Sequence, residues 1–358
     1  MTRWLPGRDL SLDCLRGIDV LLMVLVNLQG PAGPTILRHA EWNGLTLADA
    51  VFPIFLLIVG ISVSLAFDGG GGRFDRGAVL RRAILLFAIG VGLNWLLRPG
   101  FDPDLLRWTG VLQRIAIVYL VCAAVVAASR SAAAPLALAL GAMLLHTILL
   151  LAVPAPGAPI ADLSPGGGWS GWLDRQLLPG LILRGSWDPE GVLSTLPSLA
   201  SGLFGVVMAR LAGAGGRTVR LAGGGALLVL AGSAAAPFLP INKNLWTASF
   251  VLVTAGAGAL SWAALRFAWP LIGRRALVQP LVAAGQAALT LYVIHMLLIA
   301  ALRYRLADGD MLWTHLIALL QTMGLPPIWA SLAFALLGVA VCWMLLRPLR
   351  RRGLLLKV

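Results

Sequence analysis

The sequence predicts an all-α, polytopic membrane protein of about ten transmembrane helices in one bundle, with both termini in the cytoplasm. Three observations carry that reading. The 358 residues are 59% hydrophobic and only 12% charged, where a soluble chain carries roughly 25% charged residues. Apolar runs of the length that crosses a bilayer, about 20 residues each, recur along the whole chain. Basic residues gather at the ends of those runs, as the positive-inside rule expects. Together these exclude a soluble enzyme, a disordered chain and a disulfide-stapled secreted domain.

In order, the apolar runs predict helices near 14–30, 47–67, 78–97, 110–129, 133–153, 192–212, 220–238, 245–265, 281–302 and 327–346. Arg16 and Asp19 in the first run, with no Ala-x-Ala site after it, argue for a retained helix rather than a cleaved signal peptide. The stretch 311–323 is too short to span and reads as re-entrant or interfacial. With ten spans, 19 of the 28 Lys and Arg fall on the inner side and nine on the outer. An eleventh span at 311–323 would make this 14 against 14, so ten is favoured. The outer side then holds 30–46, 98–109, 154–191, 239–244 and 303–310. Residues 1–358 read as a single transmembrane domain, with 154–191 as a long outward-facing loop, rich in Pro, Gly and Trp, and 347–358 as a basic cytoplasmic tail. The Gly run at 69–72 lacks the GK[ST] ending of a phosphate loop and reads as an inner linker. No internal repeat stands out, which counts against an inverted-repeat transporter.

The net charge of +13 is explained by topology and by an anionic cofactor, so no nucleic-acid partner is expected; membrane lipids are. Cys14, Cys122 and Cys342 show no CxxC spacing and the four His no HxxH or HxxxH pairing, so no metal is expected.

Ionisable and amide side chains within spans are costly and mark candidate sites. Asp13 and Arg16 share a helical face and can pair. Asn27 closes helix 1; His39, Glu41, Trp42 and Asn43 follow in the first outer loop, and Asp49 opens helix 2. An imidazole suits the role of general base, with Asp49 to orient it. Asn94, Gln113, Arg114, Asn242, Lys243, Asn244, Trp246 and His295 also collect toward the outer half. The pattern suggests an outward polar chamber above a basic inner rim.

These residues fall in blocks that resemble the heparan-α-glucosaminide N-acetyltransferase family: Ser11-Leu-Asp13-x-x-Arg16-Gly17, Val26-Asn27, and His39-Ala-Glu-Trp42-Asn43-Gly44-Leu-Thr46-Leu-Ala-Asp49-Ala-Val-Phe52-Pro53. Gly110-Val-Leu-Gln113-Arg114, Asp188-Pro-Glu190-Gly191-x-Leu-x-Thr195-Leu-Pro-Ser198, Asn242-Lys243-Asn244-Leu-Trp246-Thr-x-Ser249 and the Tyr-Val-x-His stretch at His295 continue the likeness. The resemblance implies a membrane-embedded acetyltransferase that uses cytosolic acetyl-CoA to acetylate a glucosamine-type amine, or a hydroxyl, across the membrane. It maps the active His to His39 and its neighbouring Asn to Asn27. It also implies a possible homodimer, and the inner membrane of a bacterium as the location. The family's extra N-terminal span and luminal region have no counterpart here, and Gln286 stands where an Asn is expected.

On that reading His39 is general base or acetyl carrier, with Asn27 and Asp49 beside it as catalytic residues. Asn27, Asn94 or Asn244 would face the oxyanion. Arg16, Arg81, Arg82, Gln113, Arg114, Arg274 and Arg275 would hold acetyl-CoA, arginine being suited to its phosphates. Trp42, Asn43, Asn94, Asp188, Glu190, Asn242, Lys243, Asn244, Trp246 and His295 would line the amino-sugar or glycan acceptor site. The competing class is an amino-sugar transporter, which would move sugar without releasing free thiol from acetyl-CoA.

Overall fold

The computed structural model describes residues 8–68, 75–97, 105–213 and 217–356. In chain order the helices are α1 (Leu10–Leu28), α2 (Leu47–Asp68), α3 (Arg76–Leu96), α4 (Val111–Ala128), α5 (Ala133–Leu151), α6 (Gly168–Leu177), α7 (Val192–Ala212), α8 (Thr218–Ala235), α9 (Ala248–Ile272), α10 (Val278–Gln286), α11 (Ala288–Leu302), α12 (Leu312–Thr322) and α13 (Pro327–Arg351). Among the described residues there is no strand, only isolated bridges at Arg107–Gly180 and Arg305–Met311. The chain is an all-helical, multi-pass membrane protein. The Gly run at 69–72, Arg73 and Lys357 lie outside the described residues.

Among the described residues, eight helices are long and apolar enough to cross a membrane, or nine if α10 and α11 together form one span. Helix α1 has the length of a span, 19 residues, but carries Asp13, Arg16 and Asp19. The expected continuous helix at 281–302 is corrected: α10 and α11 meet at an 84° bend. Ala287, at φ −116° and ψ 23°, leaves the helical conformation between them. The 154–191 segment, expected to be irregular, contains α6. Segment 311–323 is one short helix, α12, and the basic tail is helical through Arg351.

The described residues divide into two compact units. The first comprises Met1–Arg38 and Leu260–Lys357. Asp9 caps α1 by accepting the Leu12 N–H (3.1 Å), satisfying an orphan donor of the first turn. Helix α1 packs chiefly on α10, then on α13 and α11. The α1–α10 crossing is backbone on backbone: a Cβ at Gly17 would lie 1.8 Å from Leu281 O, and one at Gly285 would lie 1.8 Å from Asp13 O. Only glycine permits that approach. At this crossing the buried Asp13 accepts from Arg8 and Arg16 (2.7 Å) and from Gln286 (3.3 Å), and Gln286 in turn accepts from Arg350 (3.2 Å). The start of α1 and the end of α13 therefore share one basic end.

The second unit comprises His39–Ala259. Its centre is the α2–α7 pair, with α4 against both, α5 against α7 and α3 against α4. Helices α2 and α7 also cross on glycine, where a Cβ at Gly60 would meet Gly202 O at 1.8 Å. The two ends of this unit differ in chemistry. At the end of α2, Asp68 pairs with Arg130 (3.2 Å) and Arg210 (3.1 Å), and Arg210 also donates to Ser129 O and Ser131 O. At the start of α2, 19 residues earlier or about 28 Å along the helix, lies the cluster described next.

Candidate active site

Asp49 sits in the first turn of α2, 1% exposed. One carboxylate oxygen accepts from the Ala40 N–H (3.1 Å), the Thr46 N–H (3.1 Å) and the Thr46 hydroxyl (2.9 Å). These bonds fold 40–46 back over the helix start. The other oxygen faces His39 Nδ1 at 2.9 Å. Asp49 can only accept, so Nδ1 carries the ring proton and Nε2 keeps a lone pair. The His39 side chain is 48% exposed, against 1% for Asp49, so the imidazole stands open to a reactant while its orienting group is fixed.

Lys243 reaches the same ring from a distant segment. Its Nζ lies 3.0 Å from Nδ1, 3.3 Å from Nε2 and 3.7 Å from Asp49 Oδ1. Burial pushes the lysine amine below its ordinary value, with Asp49 and Glu190 opposing that shift. The 39–46 and 240–247 segments are stapled together: Asn242 donates to Asn43 (3.0 Å), and the Gly44 N–H to Ile241 O (2.8 Å). Asn242 also accepts from the Leu245 N–H (2.8 Å).

Trp246 follows with φ +58°, the one non-glycine residue at positive φ among those described. For a bulky side chain this is a strained conformation. Its buried indole donates to Ser201 (3.2 Å), meets Phe52 and Phe250 edge-on, and lies under the Arg114 guanidinium at 4.8 Å. Arg114, 1% exposed, donates to Ser194 (2.6 Å) and Gly191 O (3.3 Å).

A second ion cluster lies in the same unit. Arg107 donates to Asp188 through Nε (2.8 Å) and Nη2, and also to Glu190. Burial works against ionisation of Asp188, but Arg107 overcomes it and holds the carboxyl below its ordinary value. Arg107 is raised in turn, the two carboxylates outweighing its burial. Asp174 accepts from the Asp188 and Val192 N–H groups, both at 2.8 Å. A Cβ at Gly191 would lie 2.3 Å from Asp174, so glycine is required there.

The structure brings together His39, Asp49 and Lys243, with Asn43 and Trp42 on the same loop. Trp42 donates to Leu163 O (2.9 Å) and meets Trp187 edge-on. Asn244 is half-buried beside Lys243. Several residues read as acceptor ligands are committed elsewhere. Asp188 is fully buried on Arg107, and Glu190 shares that guanidinium. Asn94 donates to Arg107 O (2.8 Å) and Thr109 O (2.7 Å). Asn242 and Trp246 are fully buried. In the first unit His295 is fully buried, its Nδ1 donating to Tyr292 O (2.7 Å), which leaves Nε2 to accept from Asn27 (3.2 Å).

Of the residues read as cofactor ligands, Arg81, Arg274 and Arg275 are exposed. Arg82 lies over Tyr119 (4.9 Å) and Arg16 on Asp13. Gln113 and Arg114 open α4 against the last turns of α3, away from Arg81 at its start, and both are buried. Arg107, Asp174 and Ser194 are structural partners that sequence reasoning missed. A carboxylate in a long loop gives no sign of which distant arginine will claim it.

Residues 8–160 match the family described as heparan-alpha-glucosaminide N-acetyltransferase, catalytic. A heparan-alpha-glucosaminide N-acetyltransferase from Homo sapiens is 32% identical over 312 aligned residues, covering 69% of this chain and 46% of that protein. One from Mus musculus is 28% identical over 398, covering 92% of this chain and 60% of that protein. The chain belongs to this family. It spans about half the length of the curated relatives it matches. The matched 8–160 region contains His39, Asp49, Arg107 and Arg114; Lys243, Asp174, Asp188 and Glu190 lie beyond it.

Proposed function

We propose that the protein is a membrane acetyltransferase that moves the acetyl group of acetyl-CoA to the amine of a glucosamine-type acceptor. The observation that carries this is the half-exposed His39, oriented through Nδ1 by a buried carboxylate at 2.9 Å. The family match supports the same chemistry.

The step is a simple acyl transfer. The acceptor nitrogen attacks the thioester carbonyl, a C–N bond forms and the C–S bond breaks. His39 Nε2 takes the amine proton and the thiolate leaves as CoA, to be reprotonated. Asp49 stabilises the imidazolium that forms. If His39 first accepts the acetyl group itself, the same Nε2 is the nucleophile. Asn244 remains a candidate for the oxyanion.

Arginines gathered with Asp68, Asp13 and the end of α13 support a cytoplasmic position for those helix ends. His39 would then work on the far side, in a bacterial inner membrane. Arg274, Arg275 and Arg81, exposed in their respective units, fit the phosphates of acetyl-CoA; Arg114 does not, being buried on Trp246. A single transmembrane domain that forms homodimers remains part of this reading.

Purified protein in detergent, given acetyl-CoA and glucosamine, should release free thiol and form N-acetylglucosamine. Sugar crossing proteoliposomes without thiol release would overturn the reading in favour of a transporter.

A further inference from the structure

We propose that Lys243 is a positioning residue for His39, holding the ring in its neutral Nδ1–H form with the Nε2 lone pair presented. The inference rests on the reading of His39 as base or carrier.

Asp49 Oδ1 accepts from Nδ1, so Nδ1 has no lone pair to offer. Nζ lies 3.0 Å from Nδ1 and 3.3 Å from Nε2, near-equal distances that set the ammonium against the ring face and leave the Nε2 lone pair, which lies in the ring plane, unoccupied by it. An anion and a cation therefore grip one imidazole. An imidazolium has no free lone pair and cannot act as a base. A cation at contact distance opposes that second proton. Nζ also lies 3.7 Å from Asp49 Oδ1, so it is anchored to an anion while Nε2 stays open to an acceptor N–H.

The placement is built by the fold. Lys243 sits between the buried Asn242, which is tied to Asn43 of the His39 loop, and the strained Trp246, which carries the Arg114 guanidinium. The charged groups around the ring are Asp49 and Lys243, with Glu190 and Arg114 acting on Lys243. Arg38 and Glu41, its neighbours along the chain, are exposed.

The test uses the full chain in detergent. In ¹⁵N-histidine-labelled wild type, with the His39 signal assigned by its loss in His39→Gln, Nδ1 should carry the proton at neutral pH. In Lys243→Met the acid limb of kcat/KM should move up by about one pH unit, giving a roughly tenfold loss below the limb and near wild-type rates above it. Lys243→Arg should restore the limb. An Nε2–H ring in wild type overturns the proposal. So does an unmoved limb with a raised acceptor KM, which would make Lys243 an acceptor ligand instead. If Lys243→Met fails to fold, Lys243→Gln, which keeps a polar side chain without the charge, should move the limb in the same direction, and an unmoved limb there overturns the proposal. If no thiol is released by wild type, His39 fails as base, while the His39 ¹⁵N shifts of wild type compared with Lys243→Met across pH still report on Lys243.

Discussion

Two histidines of this chain, His39 and His295, are held in the same manner through Nδ1, yet only one is suited to chemistry. His39 gives its Nδ1 proton to a carboxylate and is 48% exposed. His295 gives its proton to the Tyr292 carbonyl, three residues back on the same helix, and spends Nε2 on Asn27. Its exposure is 0%. An oriented imidazole is therefore common. What distinguishes His39 is a charged partner behind it and a nitrogen that a reactant can reach.

The sharpest way to break this comparison is to remove each ring. His39→Ala should lower acetyl transfer by about 10³-fold or more with little change in melting temperature, because the side chain is half-exposed. His295→Ala should do the reverse: a loss of about 2–3 kcal/mol from the cavity and the unpaired Asn27, with the rate per folded molecule within threefold. Thiol release and thermal unfolding in detergent measure the two. If His295→Ala abolishes turnover in a protein that is still folded, the distinction fails.

Next in size is Asp49→Asn. Losing the carboxylate reverses the preferred tautomer and should cost 10²- to 10⁴-fold in kcat. A loss smaller than tenfold would show that Nδ1 needs no anion behind it.

The Arg107–Asp188 pair is the contrasting case of charge used for structure. Arg107→Met leaves a buried carboxylate unpaired and should destabilise the protein by about 3–5 kcal/mol. The pH dependence has a definite sign. Burial raises the Asp188 carboxyl and Arg107 more than offsets it, so the folded value lies below the ordinary 3.8. Its contribution is present above about pH 4 and is lost as pH falls through the folded value. Thermal melts of wild type should steepen in their acid loss below pH 4, and those of Asp188→Asn should not.

The smallest change tests the frame around His39. Trp42→Phe keeps the edge contact with Trp187 but loses the bond to Leu163 O, and should cost about 1 kcal/mol with kcat reduced less than fivefold. Activity and melting temperature in the same preparation check it.

Much of this was legible in the sequence because bilayer physics is local. A run of apolar residues needs no partner to declare itself, and α2 to α5 and α7 lie within a few residues of their expected bounds. The α10–α11 bend was not legible, because Leu281 to Leu302 is apolar on both sides of Gln286. What fixes the direction of α10 is a glycine contact with Gly17, more than 250 residues away. The site divides in the same way. His39 and Asp49, ten residues apart, could be paired from spacing. Lys243 reads from the sequence as an acceptor ligand, but its seat on the imidazole depends on the Asn242–Asn43 staple. Asp188 was misread as a ligand because a carboxylate's partner is set by tertiary folding.

The backbone at Trp246 is twisted into a region that glycine would occupy at no cost. Glycine there would ease the chain and strip a buried guanidinium of the ring beneath it. The chain keeps the ring and bears a local penalty of about 1–3 kcal/mol. The segment carrying Lys243 is consequently set when the polypeptide folds. On the function proposed above, an acceptor must fit an ammonium already in place, so discrimination among acceptors would be decided by shape at rest rather than by adjustment on arrival.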